Sequence, residues 1–295
     1  MESVPQPSST TPDVLSRAGL SVLTLVCLGI LSTIYWPIMR DLVWQWWDDP
    51  NYSHGFVVPL FSAFLVWSRR DELKGLVTTG HWTGLLVLLA GVAALVVGEV
   101  GSENFLTRSS LVVVLTGLIL FNVGWPVVRA MAFPLMFLFF MIPLPATVFY
   151  AITFPLQRLA AQNAAWALDM LGVPVLMDGN ILHLSRISLG VVEACSGIRS
   201  LISLLAVAVA WAYLTLPGVV SILILAAAAV PITILANAVR VVTTGLIGQW
   251  LGIEYAQGFF HSASGWVIFL VAFAGLAVVH VVMQWVRRLA RRAER

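Results

Sequence analysis

The sequence predicts an all-α integral membrane helical bundle of about eight transmembrane helices, with a small extracytoplasmic helix and β-hairpin before the sixth span. Three observations predict it. Of the 295 residues, 60% are apolar and only 10% are charged, whereas an average soluble domain is roughly a quarter charged. Polar surface is therefore too scarce to cover a water-soluble globule of this size, and the mean hydropathy is +0.94. Apolar runs recur at lengths that suit a bilayer core, which takes about 20 residues per helix. Finally, Lys and Arg gather in alternate loops, the pattern of a multi-pass chain. This composition excludes a cytosolic enzyme, a disordered chain and a nucleic-acid binder, and a net charge of +2 adds no attraction for DNA or RNA. Two cysteines, Cys27 and Cys195, make no disulfide framework.

Residues 1–16 are rich in Ser, Thr and Pro at their start and read as a disordered cytoplasmic tail. A single transmembrane domain over residues 17–286 follows. Its runs are Ala18–Met39, His54–Trp67, Trp82–Gly98, Ser109–Gly124, Ala130–Pro143, Ile198–Leu216, Val219–Ile247 and Gly265–Val286. The second and fifth are short and carry Pro59 and Pro134, which remove backbone donors and favour kinked or re-entrant segments. With the N-terminus inside, Arg69, Arg70, Lys74 and Arg129 face the cytoplasm, as does the basic tail 287–295. The first two opposite loops carry Asp41, Asp48, Asp49, Glu99 and Glu103, with Arg40 and Arg108 as their bases. Residues 144–196 fit no span. Tyr150–Leu171 reads as a helix with a polar stripe of Gln157, Arg158, Gln162 and Asn163, and Asp178-Gly179 as the turn of a hairpin.

Ionisable groups within or at the rim of spans are expensive and so point to function. Three clusters share the predicted outer face. Glu193-Ala194-Cys195-Ser196-Gly197-Ile198-Arg199 enters the sixth span. A helix start and a nearby cation lower a thiol pKa, Gly197 permits close backbone approach, and free N–H groups suit an oxyanion hole. By residue type alone Cys195 also reads as a small buried hydrophobe. Asn237 and Arg240, three residues apart, share a helix face near the outer end of the seventh run. Arg240 reads either as the holder of an anionic species or as a cation that snorkels to the interface or pairs with Glu193, Glu254 or a lipid phosphate. His261, in Phe260-His261-Ser262-Ala263-Ser264-Gly265, is a proton shuttle near neutral pH or an interfacial residue. Together the three supply a nucleophile, a proton carrier and an oxyanion stabiliser, the set for acyl transfer through a thioester. One Cys with one His does not make a zinc site, and no motif asks for a cofactor.

At these residues the sequence resembles the exosortase/archaeosortase family of integral-membrane cysteine transpeptidases. Glu193–Ser200 is similar to the family's nucleophile motif, Ala236–Val242 to its N-x-x-R motif and Phe260–Gly265 to its histidine motif. Asp49–Leu60, DPNYSHGFVVPL, is similar to a pattern ahead of the second span, with His54 as a candidate substrate contact or a helix cap. The resemblance implies Cys195 as nucleophile, Arg240 as transition-state stabiliser and His261 as proton-transfer residue. Glu193, Ser196, Gly197, Arg199, Asn237 and His54 are the supporting candidates. It further implies secreted protein substrates with a C-terminal Pro-Glu-Pro-type motif, a transmembrane helix and a basic tail. The acceptor stays open between a lipid, a glycan and water; the resemblance implies the inner membrane of exopolysaccharide-producing bacteria, and the placement of Lys and Arg puts both termini on its cytoplasmic side. A membrane acyltransferase with a Cys-bound lipid acyl group, and a non-catalytic transporter, are the rival readings.

Overall fold

The computed structural model describes residues 13–76, 78–191, 198–252, 254–255 and 259–293. It is about 81% helical, as a chain must be where backbone polar groups meet lipid. Eleven helices and one small sheet are described. The helices are α1 (Asp13–Asp48), α2 (Val57–Ser68), α3 (Arg70–Lys74), α4 (Thr83–Val100), α5 (Asn104–Val123), α6 (Trp125–Ala130), α7 (Ala132–Phe137), α8 (Ala146–Met170), α9 (Ile198–Thr215), α10 (Val219–Trp250) and α11 (Phe259–Ala293). Strands β1 (Val175–Asp178), β2 (Ile181–Leu184) and β3 (Ser188–Gly190) form an antiparallel sheet in the order β1-β2-β3.

Among the described residues, five helices are long and apolar enough to cross a membrane, or six if Ala132–Met141 and Ala146–Met170 form one broken span. Eight were predicted, and the shortfall has local causes. The first expected span lies inside α1, much of whose side-chain detail is outside the described residues and which is not in this count. The second is a 3-10 turn, Ser53–Phe56, followed by the 12-residue α2, roughly 24 Å of chain against a core of about 30 Å. The fifth breaks into α6, α7 and a 3-10 turn, Leu138–Met141, ahead of Pro143 and Pro145.

The chain divides into two compact units. The first holds the described residues of 1–45 and 64–139. Its centre is the antiparallel pair α4/α5, joined at Gly101-Ser102-Glu103. Gly84, Gly91 and Gly98 recur every two turns along one stripe of α4. A Cβ there would lie 2.2 Å from the Phe121 nitrogen, 2.6 Å from Val114 Cγ2 and 2.5 Å from Thr107 Oγ1. Gly117 answers from α5, 2.5 Å from the Leu88 nitrogen. Small residues let backbones approach closely, which is how helices associate where lipid removes the hydrophobic drive. Tyr35 of α1 packs on this pair beside Leu95 and Val114. Ser110 donates to the Thr107 carbonyl (2.6 Å), so the Tyr35 hydroxyl must donate to Ser110 (2.7 Å). Arg108 is not a loop base as expected: it sits on α5, buried, and donates to Gln45.

The second unit holds residues 46–63 and the described part of 140–295. Helices α9, α10 and α11 pack around Leu204, Ala208, Leu225, Ala229, Ala236, Ile268, Ala272 and Leu276. The α9–α10 turn is Leu216-Pro217-Gly218, with Gly218 at φ +83°. Arg287 of α11 donates to the Pro217 carbonyl (3.0 Å) and to Ser221 Oγ, closing that end. The C-terminal half of α10 leaves this cluster. Its Val241 joins Ala160, Ala161, Ala164 and Leu168 of α8, with Leu182, Leu184, Ile187 and Val191 of the sheet segment, in a separate core.

The sheet has three strands where a two-stranded hairpin was predicted. Asp178 pairs with Ile181, so the two-residue turn is Gly179-Asn180, one residue beyond the expected dipeptide, with Gly179 at φ +61° as such turns require. The polar stripe of α8 is not all solvated. Gln157 is buried and accepts a long 3.5 Å bond from Asn180, which also donates to the Val191 carbonyl (3.0 Å).

Candidate functional site

The site residues of the second unit lie on α9, α10 and α11 and on the segment ahead of α2. The helices α9 and α10 are antiparallel neighbours, as are α10 and α11, so the start of α9, the Asn237–Arg240 stretch and the start of α11 belong to one end of the three-helix cluster. The other end is fixed separately. There Thr215 donates to the Trp211 carbonyl (2.7 Å), so the buried His280 donates through Nε2 to Thr215 Oγ1 (2.8 Å) while its ring stacks on Trp211 at 4.4 Å. His280 is thereby a packing residue remote from Arg240 along α10.

Arg240 is half-buried on α10, and its Nη2 lies 3.9 Å from where a Cβ on Gly265 would stand. Gly265 is four residues, about one turn, past His261 on α11. The N-x-x-R and histidine motifs therefore meet, and they meet at the glycine that closes the second of them. Asn237 shares the Arg240 face of α10 and is almost fully buried, where an amide persists only with hydrogen-bond partners. His261 belongs to α11 by its backbone; its side chain is outside the described residues. Glu193, Cys195, Ser196 and Gly197 lie outside the described residues altogether. Their described neighbours on both sides are buried: Val191, which shares a core with Val241 of α10, and Ile198, which opens α9.

Arg199 sits in the first turn of α9, exposed, with Nε 3.4 Å from Oδ1 of the buried Asn51. Asn51 belongs to the Asp49–Leu60 motif, for which the sequence alone offered a role only at His54. That segment is a built turn. The Asn51 N–H donates to Asp49 Oδ1 (2.9 Å) and the Tyr52 N–H to the Asp49 carbonyl (2.9 Å), around a Pro50 whose ring presets the bend. Two side chains fasten it to the backbone just ahead of Pro143: Trp46 donates to the Met141 carbonyl (2.8 Å), and His54 Nε2 lies 3.1 Å from the Phe140 carbonyl. His54 thus anchors backbone in this structure. A Cβ on Gly55 would stand 2.4 Å from the Trp46 indole, so only glycine allows that ring to lie there.

Asn51 and Gly265 were not among the expected site residues, although both stand inside the motifs quoted above. Asn51 lies beside Arg199 of α9, and Gly265 beside Arg240 of α10. A cavity of about 240 Å³ opens beside Arg186, Gln249 and Trp250, near the C-terminal end of α10. It is two turns past Arg240 and holds none of the predicted site residues. Among the described residues, no three His, Cys, Asp or Glu side chains gather into a metal-binding group.

Comparison with known proteins adds one finding to this geometry. No curated protein and no solved structure matches the chain. A family model described as transmembrane exosortase matches residues 46–278, beginning at Trp46, the residue that anchors the Asp49–Leu60 turn, and taking in all four motifs. With that much of its length matched, the chain belongs to the transmembrane exosortase family.

Proposed function

We propose that the protein is a membrane-embedded cysteine transpeptidase that cleaves a C-terminal sorting signal of secreted proteins and passes the new C-terminus to an acceptor. The observation that carries this reading is the approach of the Arg240 guanidinium to Gly265, which joins the arginine and histidine motifs at the end of the helix cluster where α9 begins. Family membership supports the same chemistry. The substrate is a protein ending in a Pro-Glu-Pro-type motif, one transmembrane helix and a basic tail. That tail stays cytoplasmic for the reason that Arg287, Arg288, Arg291 and Arg292 do, and the motif then reaches the extracytoplasmic face of the inner membrane.

In this reading the Cys195 thiolate attacks the scissile carbonyl, forming a C–S bond and a tetrahedral oxyanion. Arg240, a permanent cation with a planar fork of donors, stabilises that oxyanion. Collapse breaks the C–N bond, and His261 protonates the departing amine. The thioester is then attacked by the acceptor, a lipid or glycan nucleophile, whose proton His261 takes as the Cys195 thiolate leaves.

The test is co-expression with a reporter carrying such a tail, comparing wild type with Cys195→Ala. Loss of processing at equal membrane abundance, with a peptide adduct on Cys195 by mass spectrometry in wild type, supports the reading. A fatty acyl adduct instead identifies an acyltransferase, and processing that survives Cys195→Ala overturns the nucleophile assignment.

A further inference from the structure

We infer that the cavity between the β2–β3 turn and the C-terminal end of α10 is a binding site for a sugar ring. The site stands apart from the proposed cysteine chemistry. Gln249 is nine residues past Arg240, which puts it on the opposite side of α10, and no reacting group enters the cavity.

The walls of the cavity are built and joined. One is the tight turn from β2 to β3, where the Leu184 N–H donates to the Ile187 carbonyl (2.8 Å) and Ile187 is buried in the core that Val241 shares. The other is the chain from Gly248 to Gly252, the end of α10 and the two residues after it. The Arg186 N–H donates to Gln249 Oε1 (3.2 Å) and ties the two together. The enclosed volume of about 240 Å³ is below the roughly 300–1,000 Å³ of drug-sized pockets, so it suits a single ring.

The lining chooses the chemistry of that ring. Its donors are the Arg186 guanidinium and the Gln249 Nε2, which have no partner among the described residues, while Oε1 of the same amide is already taken. Its acceptors are the carbonyls at the end of α10, which have no following turn to bond. The Leu251 N–H takes the Ile247 carbonyl, and those of Gly248, Gln249 and Trp250 come after it. Gly248 and Gly252 can line the cavity with backbone alone, and Gly252, at φ +106°, turns the chain at its rim. Trp250, 67% exposed, adds a flat apolar surface. A simple anion would be drawn to Arg186 but would face the negative end of the α10 dipole, and an ammonium would meet the guanidinium. A peptide pairs along a strand edge, whereas these walls are a turn and a helix end. A sugar ring has hydroxyls that both donate and accept, and its C–H face packs on an indole. It uses every group in the lining.

The experiment uses the full-length protein in phosphatidylcholine nanodiscs, free of sugar-based detergent. It titrates methyl glucoside, methyl mannoside and methyl N-acetylglucosaminide and reads saturation-transfer NMR from protein to ligand. At least one glycoside should bind saturably with a Kd in the millimolar range, as a single small ring does. Trp250→Ala and Arg186→Met should each weaken that binding about fivefold or more at unchanged thermal stability. Trp250→Phe, which keeps an aromatic face, should retain most of it. Trp266→Ala removes an indole that is 77% exposed on α11 and outside the cavity, and it should leave binding unchanged. Absence of saturable transfer from all three glycosides, full binding by Trp250→Ala, or an equal loss in Trp266→Ala would each overturn the inference. So would tighter binding of N-acetylglutamate, an anion of similar size, at the same residues. No substrate is cleaved in this measurement, so its failure is distinguishable from failure of the transpeptidase reading, which the Cys195→Ala processing test decides.

Discussion

Gly265 offers the sharpest test of the Arg240 geometry. A Cβ there stands 3.9 Å from Arg240 Nη2, an ordinary van der Waals contact, so Gly265→Ala fits without moving the guanidinium. Alanine also removes the backbone entropy cost of a helical glycine, about 0.5–1 kcal/mol. Gly265→Leu places Cγ about 1.5 Å beyond Cβ, and the helix leaves few rotamers that turn it elsewhere. The guanidinium must then shift by about 1 Å. A misplacement of that size in a positioned catalytic group costs roughly 100-fold in rate, or ~2.7 kcal/mol. The assay is cleavage of a tailed reporter in membranes, normalised to enzyme abundance, with thermal stability in detergent measured alongside. Wild-type processing by Gly265→Leu, or an equal loss in Gly265→Ala, would refute the claim that this glycine is kept small for the arginine.

Three further outcomes follow from the same structure. Arg240→Lys should lose processing by about 100-fold or more at normal abundance, since a point-charge ammonium does not replace a planar fork; near-normal turnover in the reporter assay would remove Arg240 from the oxyanion role. Gly91→Leu, against a Cβ already 2.6 Å from Val114 Cγ2 and 2.9 Å from its backbone nitrogen, should force α4 and α5 apart and cost about 1–3 kcal/mol or more; an unchanged midpoint in thermal unfolding contradicts that close approach. Thr215→Val should strand the buried Nε2 donor of His280 at a cost of about 1–3 kcal/mol, and His280→Leu in that background should recover part of it. Strictly additive losses in the unfolding midpoints would show that the pair is not coupled.

How much of this was legible in the sequence depends on the range of the interaction. Bilayer-scale hydropathy is a sum over neighbours in the chain, so membrane class, helical content and the long runs in α4, α5, α9, α10 and α11 could be read directly. The 3-10 turn at Ser53–Phe56 and the pieces between Ala130 and Met141 read as spans because they are apolar, although neither is by itself long enough to be counted as one. Whether an apolar stretch crosses lipid or folds back is decided by its length and by the prolines after it. The third strand escaped for a similar reason. Ser188–Gly190 is too short to carry a period, and only its pairing with Ile181–His183 makes it a strand.

The site divides along the same line. Residue chemistry by itself named a thiol, an imidazole and a guanidinium, because those groups carry their reactivity in the side chain wherever they stand. Sequence order also gave the spacing of Asn237 and Arg240 on one helix face, since 3.6 residues per turn is a local constant. Tertiary structure alone decided that Arg240 reaches Gly265, that Val191 shares a core with Val241, and that Arg199 lies 3.4 Å from Asn51, 148 positions away. Those contacts depend on which helix faces pack together, and packing is settled by the fit of whole surfaces rather than by any one segment.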